Sequence, residues 1–223
     1  MAQYAVLIYA AVPPDGSDRE SDLRTHDRRR LRQSRGMTDE HVDSSVADED
    51  IQLCPYDPAW PARFEREAGL LTEVLGHHVS GGVHHVGSTA VPGLTAKPII
   101  DIMIGVRDLD SSRPCIDLLA ESDYCYAPYR QDVMHWFCKP SPARRTHHLH
   151  LVPTGSERFT DVLAFRDYLR THPVAVRQYE QLKRQLAIRH AHDRDAYTDG
   201  KSAMVATITA DARRWILGKG ALG

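Results

Sequence analysis

One carboxylate interrupts the most apolar stretch of this 223-residue sequence. Asp101 lies within residues 98–106 (PIIDIMIGV), a run of strand length that is rich in isoleucine. Such a run is typical of a central strand that is buried on both faces. Because an unpaired buried charge costs several kcal/mol, we expect a compensating partner for Asp101. The partner could be an arginine or a backbone donor, or it could be a metal ion.

A glycine–serine loop precedes this acidic strand. Gly87, Ser88 and Thr89 directly follow a short predicted strand over residues 83–86, and twelve residues separate Ser88 from Asp101. Glycine allows backbone N–H groups to approach an anion, and the two hydroxyls add further donors. The pattern indicates a phosphate-binding loop, although Gly-Ser pairs also occur in ordinary turns.

Two histidines could complete a metal site with Asp101. Residues two apart in a strand share a face, so Asp101 faces the same side as Met103, and His148 shares a face with His150. Methionine cannot bind Mg²⁺, whereas imidazole prefers Zn²⁺, Mn²⁺ or Fe²⁺. A site of Asp101, His148 and His150 is one hypothesis. The alternative is that these histidines form hydrogen bonds with phosphate or with the Asp101 carboxylate.

Several other side chains could contact a bound phosphate or substrate. The cationic candidates are Lys97, Arg166, Lys183 and Lys201, and for each of them a solvated surface charge is the alternative. His85 ends the strand before the loop, so it could contact a substrate or orient the acidic residue.

Hydrophobic periodicity predicts the elements that position these residues. Apolar residues three or four apart indicate helices, and apolar runs of four to nine residues indicate strands. The helices are predicted over residues 60–75, 115–121, 159–171, 174–190 and 202–217, and the strands over 83–86, 98–106, 124–129, 133–139 and 147–152. The expected fold is α/β in the broad sense (α+β), with a mixed β-sheet flanked by helices and a C-terminal helical tail.

Composition excludes several classes of protein. Hydrophobic residues make up 42% of the sequence, which is typical of a globular protein. The formal net charge is −2, so the overall charge does not indicate nucleic-acid binding. The four cysteines form no C-x-x-C pair. No apolar stretch near the N-terminus is long enough to span a membrane, so we expect a cytoplasmic protein with no membrane contact.

Residues 1–48 are predicted to be a poorly ordered extension, because they lack a periodic apolar face. Residues 49–218 are predicted to form one domain.

Longer motifs resemble the GrpB family, which is also called UPF0157. They are HVGSTAVPGLTAKPIIDIMI and, around it, YDPAWPARFEREA, HLHL, LAFRDYLRTHP and YEQLK. The resemblance covers about residues 51–218 and implies the nucleotidyltransferase superfamily fold. Lys97, Arg166 and His85 fall within the matching motifs. Similar domains are appended to some dephospho-coenzyme A kinases, which suggests a nucleotide or coenzyme A connection.

The resemblance gives a leading function and two alternatives. The leading hypothesis is nucleotidyl transfer from a nucleoside triphosphate to an unknown acceptor, with a divalent metal (Mg²⁺ or Mn²⁺, or else Zn²⁺) at Asp101. The loop would then hold the phosphates, and Lys97 or Arg166 would neutralise developing charge. However, the superfamily carries a second carboxylate where this chain has Met103. A noncatalytic nucleotide- or coenzyme A-binding module and a metal-dependent phosphoanhydride hydrolase are therefore the alternatives.

Overall fold

Five strands form one mixed sheet in the computed structural model, which describes residues 50–220, with side chains as far as residue 218. The strands are β1 (Val83–Val86), β2 (Ile100–Val106), β3 (Cys125–Ala127), β4 (His135–Pro140) and β5 (Arg145–Pro153). Their order is β1-β2-β5-β4-β3. Only β2 and β5 are parallel, and the other neighbours are antiparallel. The extension predicted over residues 1–48 lies outside the described residues.

The central strand β2 is buried along its whole length, as its composition predicts. Its even-numbered residues pack in one apolar cluster with helix α1 (Trp60–Leu75) and helix α2 (Cys115–Ala120). Asp101 and Met103 lie on the opposite face, which confirms the predicted alternation. The two faces of β2 therefore differ in polarity, because one is wholly apolar and the other carries the Asp101 carboxylate.

The first helix begins and ends as the sequence predicts. Trp60, Phe64, Leu71 and Leu75 are buried at spacings that repeat along one face of α1. A proline occupies its first turn, where no N–H is needed, and Gly76 follows its last residue with φ of 48°. This helix covers the face of the sheet opposite Asp101.

Four helices form the C-terminal tail. They are α3 (Glu157–Thr171), α4 (Pro173–Arg189), α5 (Arg194–Asp199) and α6 (Ser202–Gly220). Ser156 caps α3 by accepting a hydrogen bond from the Phe159 N–H at 3.3 Å. The short helix α5 was not predicted, and Asp193 caps it in the same way. No helix among residues 50–220 is long and apolar enough to cross a membrane.

The helical tail packs directly on the segment that follows the glycine–serine loop. Val91 and Leu94 of this segment are buried in one apolar cluster with Phe165, Tyr179 and Val205 of α3, α4 and α6. The tail therefore brings its cationic side chains to the amino end of β2.

Candidate functional site

Asp101 has a histidine as its partner. His148 lies opposite Asp101 in the β2–β5 register, and its Nδ1 is 2.9 Å from Oδ1 of Asp101. Burial raises the pKa of the Asp101 carboxyl, but the hydrogen bond with His148 and the charges of His148, His150 and Lys97 together outweigh burial, so the pKa lies below its ordinary value. Burial also lowers the pKa of His148, so a neutral imidazole donates its Nδ1–H to an ionised carboxylate.

Gly87 allows the loop to approach this carboxylate closely. Its φ of 69° and ψ of −169° belong to a region that glycine alone adopts readily. A Cβ atom at this position would lie 2.2 Å from Oδ2 of Asp101. The glycine predicted for anion binding thus has a second role, because it encloses the buried acid.

Lys183 connects the helical tail to the loop. Its Nζ donates to Oγ of Ser88 at 3.1 Å and to the carbonyl of Thr95. The side chain is 1% exposed, and burial lowers its pKa to about 7. The structure places Lys183 beside the loop and buries it, so it is not a solvated surface charge, and phosphate binding by Lys183 stays a prediction.

Two more lysines lie against one aromatic ring beside the loop. The Nζ atoms of Lys201 and Lys97 lie 4.2 Å and 5.4 Å from the ring centroid of Tyr197. Lys201 is 2% exposed and its Nζ has no hydrogen-bond partner among the described residues. Burial, with repulsion from Lys97 and Lys183, holds the pKa of Lys201 well below its ordinary value. We refer to Lys97, Lys183 and Lys201 as the lysine cluster.

A small cavity lies within this group of residues. Its polar lining consists of Ser88, Thr89, Lys97, Asp101, Lys183 and Tyr197. The free volume is about 20 Å³, which is room for a water molecule. Among the described residues of this lining, Asp101 is the one carboxylate, and it lies with Lys97 and Lys183 around the same space.

His85 lies on the other face of the sheet from Asp101. Its ring stacks on Phe64 of α1 with centroids 4.8 Å apart, and its Nε2 is 3.0 Å from Oγ1 of Thr89. Burial lowers the pKa of His85 to about 4, so the ring is neutral at physiological pH. His85 therefore contacts the loop through Thr89, from the α1 side of the sheet, and does not line the cavity.

Arg166 and a second arginine hold the two ends of the loop. Nη1 of Arg166 donates to the His85 carbonyl at 3.2 Å, and its Nε donates to Asp167 at 2.7 Å. One helical turn further, Nε of Arg170 donates to the Ala90 carbonyl at 2.9 Å. Sequence reasoning missed Arg170, although its spacing of four from Arg166 places both on one face of α3.

The predicted metal ligands are only partly brought together. Met103 is 1% exposed and packs in an apolar cluster with Val86, Met134, Trp136 and Val152. His150 lies opposite Met103, with its Nδ1 3.4 Å from Sδ of Met134, and burial lowers its pKa to about 3. Within the described part of the chain, no three His, Cys, Asp or Glu residues are grouped to hold a metal.

These donors do not fit a two-metal site of the nucleotidyl-transfer kind. Such a site needs two carboxylates on one strand face, and here the second position is an apolar residue in the core. Metal binding by Asp101, His148 and His150 stays a prediction.

The fold and the site together define a class of protein. A mixed sheet whose glycine–serine loop leads to an acidic central strand is consistent with the nucleotidyltransferase-like superfamily. The chain belongs to the GrpB family, because the family model described as "GrpB protein" matches residues 50–211.

Relatives and a solved structure agree with this assignment. The chain is 39% identical to the UPF0157 protein PA4798 of Pseudomonas aeruginosa, over 76% of this chain and 70% of that protein. It is 31% identical to the UPF0157 protein YqkA of Bacillus subtilis, over 76% of this chain but only 49% of the relative's length. The crystal structure of conserved protein GrpB from Enterococcus faecalis matches with a TM-score of 0.67 and 33% identity, covering 74% of this chain and 99% of that one.

Proposed function

We propose that this domain binds the phosphate chain of a nucleotide at the loop Gly87–Thr89 and the lysine cluster. The observation that carries the proposal is the burial of Lys183 and Lys201 beside one carboxylate, with no hydrogen-bond partner for Nζ of Lys201 in the described chain. Burying a cation without compensation is costly, and an anion would supply that compensation.

Phosphate entry requires a local exchange of hydrogen bonds. The cavity of about 20 Å³ has room for a water molecule but not for a phosphate group, so Lys183 must turn from Ser88 and Thr95 towards the ligand. Charge-assisted hydrogen bonds to phosphate are stronger than the bonds they would replace. The bound anion would also restore the full charge of Lys183, whose pKa burial lowers to about 7.

Nucleotidyl transfer to an acceptor is the second candidate, and the position of Asp101 favours it. This ionised carboxylate lines the same cavity as Lys97 and Lys183. The lysines would neutralise charge on the departing pyrophosphate, and Asp101 would be the catalytic carboxylate. Arg166 would act indirectly, as a positioning residue, by fixing the backbone of His85. The burial of Met103 instead favours a module that binds a nucleotide or coenzyme A without catalysis.

One titration series tests the binding proposal. The full chain is titrated by calorimetry with each nucleoside triphosphate and with coenzyme A, first without metal and then with Mg²⁺, Mn²⁺ or Zn²⁺. We expect nucleotide binding that weakens about tenfold in Lys183→Met, since one charge-assisted contact is lost. Gln185→Met is the matched control, because it places the same side chain on the exposed surface of α4. Unchanged affinity in Lys183→Met and in Lys201→Met would exclude the lysine cluster as the phosphate site.

Product analysis separates binding from catalysis. Pyrophosphate release indicates transfer of the nucleotidyl group to an acceptor that is supplied or to water, and orthophosphate release indicates phosphoanhydride hydrolysis. Nucleotide binding with release of neither, in the presence of the acceptors supplied, indicates a binding module. For a transferase, Asp101→Asn should abolish pyrophosphate release while retaining the hydrogen bond to His148. Retained release in this variant would remove Asp101 from the catalytic machinery.

A further inference from the structure

Two cysteines face each other at the edge of the sheet. All four cysteines of the chain lie among the described residues and carry free thiols. Cys125 on β3 is paired with Cys138 on β4 in the antiparallel register. Directly opposed residues of such a pair point to the same face, and both side chains pack in the apolar cluster on the Asp101 face. The connection between β3 and β4 therefore brings these two thiols together.

The backbone geometry at this position suits a disulfide bond. Directly opposed residues of an antiparallel pair have Cα atoms about 4.5–5.5 Å apart. Disulfide bonds span Cα separations of about 4.4–6.8 Å. In the reduced protein, Sγ of Cys125 donates to the Pro140 carbonyl at 3.3 Å. Closing the bond therefore requires a change of rotamer at Cys125 and the loss of one weak S–H hydrogen bond.

The two thiols differ in their access to solvent. Cys125 is half-buried and begins a three-residue strand at the edge of the sheet, whereas Cys138 is 0% exposed. Burial raises the pKa of the Cys138 thiol to about 11, so this thiol is protonated at neutral pH. Oxidation-sensitive cysteines are accessible and often lie next to a second thiol that completes the reaction. Cys125 has the position of the first thiol, and Cys138 has that of the second.

The other two cysteines lack this arrangement. Cys54 and Cys115 pack in the apolar cluster on the opposite face of the sheet. Cys54 is paired with Ala96 in an isolated bridge, and its Sγ donates to the Ala96 carbonyl at 3.3 Å. Cys115 is 0% exposed at the start of α2. Neither of them faces a cysteine across a strand pair, so the register singles out one pair of thiols.

We propose that Cys125 and Cys138 form a redox-sensitive dithiol, which a peroxide closes to a disulfide bond between β3 and β4. The sulfur of Cys125 attacks one peroxide oxygen, the O–O bond breaks, and the thiol proton passes to the leaving oxygen. The products are a Cys125 sulfenic acid and an alcohol, or water when the oxidant is hydrogen peroxide. The sulfur of Cys138 then attacks the sulfenic sulfur and displaces the hydroxyl, which leaves as water with the Cys138 proton. The two thiols together lose two electrons and two protons, and the peroxide accepts them.

This dithiol lies in the same row of the sheet as the buried acid. Cys138 is opposite His148 on β5, and His148 is opposite Asp101 on β2. The reaction requires neither a nucleotide nor a metal ion. The inference therefore stands or fails independently of the proposed function.

Peroxide treatment of the reduced full chain tests the dithiol. The folded protein is treated with hydrogen peroxide, the remaining thiols are blocked with N-ethylmaleimide, and disulfide-linked peptides are mapped by mass spectrometry. Circular dichroism before and after treatment verifies that the fold is retained. We expect a disulfide between Cys125 and Cys138, which dithiothreitol reduces again.

Three variants make the test specific. Cys125→Ser should form no disulfide. Cys54→Ser is the matched control, because Cys54 is also half-buried and also donates to a backbone carbonyl at 3.3 Å. This control should form the disulfide as the unchanged protein does. Cys138→Ala should stop the reaction at the Cys125 sulfenic acid, which dimedone labels.

Several outcomes would overturn the proposal. The first is that peroxide leaves all the thiols of the unchanged protein reduced. The second is a disulfide that involves Cys54, Cys115 or a second copy of the chain. The third is oxidation of Cys125 to a sulfinic acid without closure, because Cys138 would then be out of reach. Loss of the disulfide in Cys54→Ser would also contradict a reaction confined to the facing pair.

Discussion

Single atoms decide the geometry around the buried acid. Gly87 brings the loop within van der Waals distance of Asp101, and His148 forms a hydrogen bond that lowers the pKa of the acid. Each of these contacts can be removed by one substitution. The residues therefore give sharp tests of how the loop and the acid depend on one another.

We predict that Gly87→Ala destabilises the protein by roughly 2–4 kcal/mol, through backbone strain and overpacking. The new methyl group would lie 2.2 Å from Oδ2 of Asp101. Gly93→Ala is the control, because Gly93 also has positive φ but its Cβ would meet nothing within 4 Å. Urea unfolding measures both variants. Equal losses in the two would show that strain alone, and not the contact with Asp101, limits position 87.

Lys183 should make stability depend on pH. Its pKa is about 7 in the folded protein and 10.5 in the unfolded chain, so the unfolded state binds more protons between these values. The free energy of unfolding therefore increases as the pH rises from about 7 to 10.5. The contribution of Lys183 to this increase is up to about 1.4 kcal/mol per pH unit. Urea unfolding at several pH values should show this slope reduced in Lys183→Met and retained in Gln185→Met. A slope that is the same in all three proteins would mean that Lys183 keeps its ordinary pKa.

Among the helices, α3 has two functions. One face carries Arg166 and Arg170 to the loop, and another packs against α6. The contact between the helices includes Asp161, which is 3% exposed and accepts two hydrogen bonds of 2.5 Å from Arg213. Because α3 holds the loop, the α3–α6 contact supports the site from a distance.

Removing one partner of this ion pair should be costly. We expect Arg213→Met to destabilise the protein by roughly 2–4 kcal/mol, because it leaves the Asp161 carboxylate buried without its main partner. The neighbouring Arg214→Met is the control and should change stability by less than about 0.5 kcal/mol, since its side chain is 71% exposed. The double variant Asp161→Leu/Arg213→Met should recover most of the loss in thermal and urea unfolding. Without such recovery, packing by the Arg213 side chain would be the main contribution.

Elements with a repeating burial pattern could be predicted from the sequence, and isolated ones could not. The spacing of apolar residues predicts α1 with the bounds observed. Helix α5 has six residues, too few for a periodic signal, so the position of Tyr197 beside the lysines could not be predicted. For Asp101 the sequence predicted a compensating partner. It left open whether His148 binds the acid directly or through a metal, because that depends on the rotamers and register of two strands distant in the chain.

Across the domain, the placement of β2 has a consequence for how different parts of the structure open. Strands flank it on both sides and all seven of its residues are buried. Its amide hydrogens should therefore exchange with deuterium only when the whole domain unfolds, whereas those of the edge strands β1 and β3 exchange through local fraying. Exchange free energies for Ile102 and Ile104 should equal the free energy of unfolding in urea, and smaller values would indicate an opening confined to the sheet. Asp101 then lies in the last region to open, so any adjustment that admits a ligand must come from helix α4, which carries Lys183, and from the turn before α6, which carries Lys201.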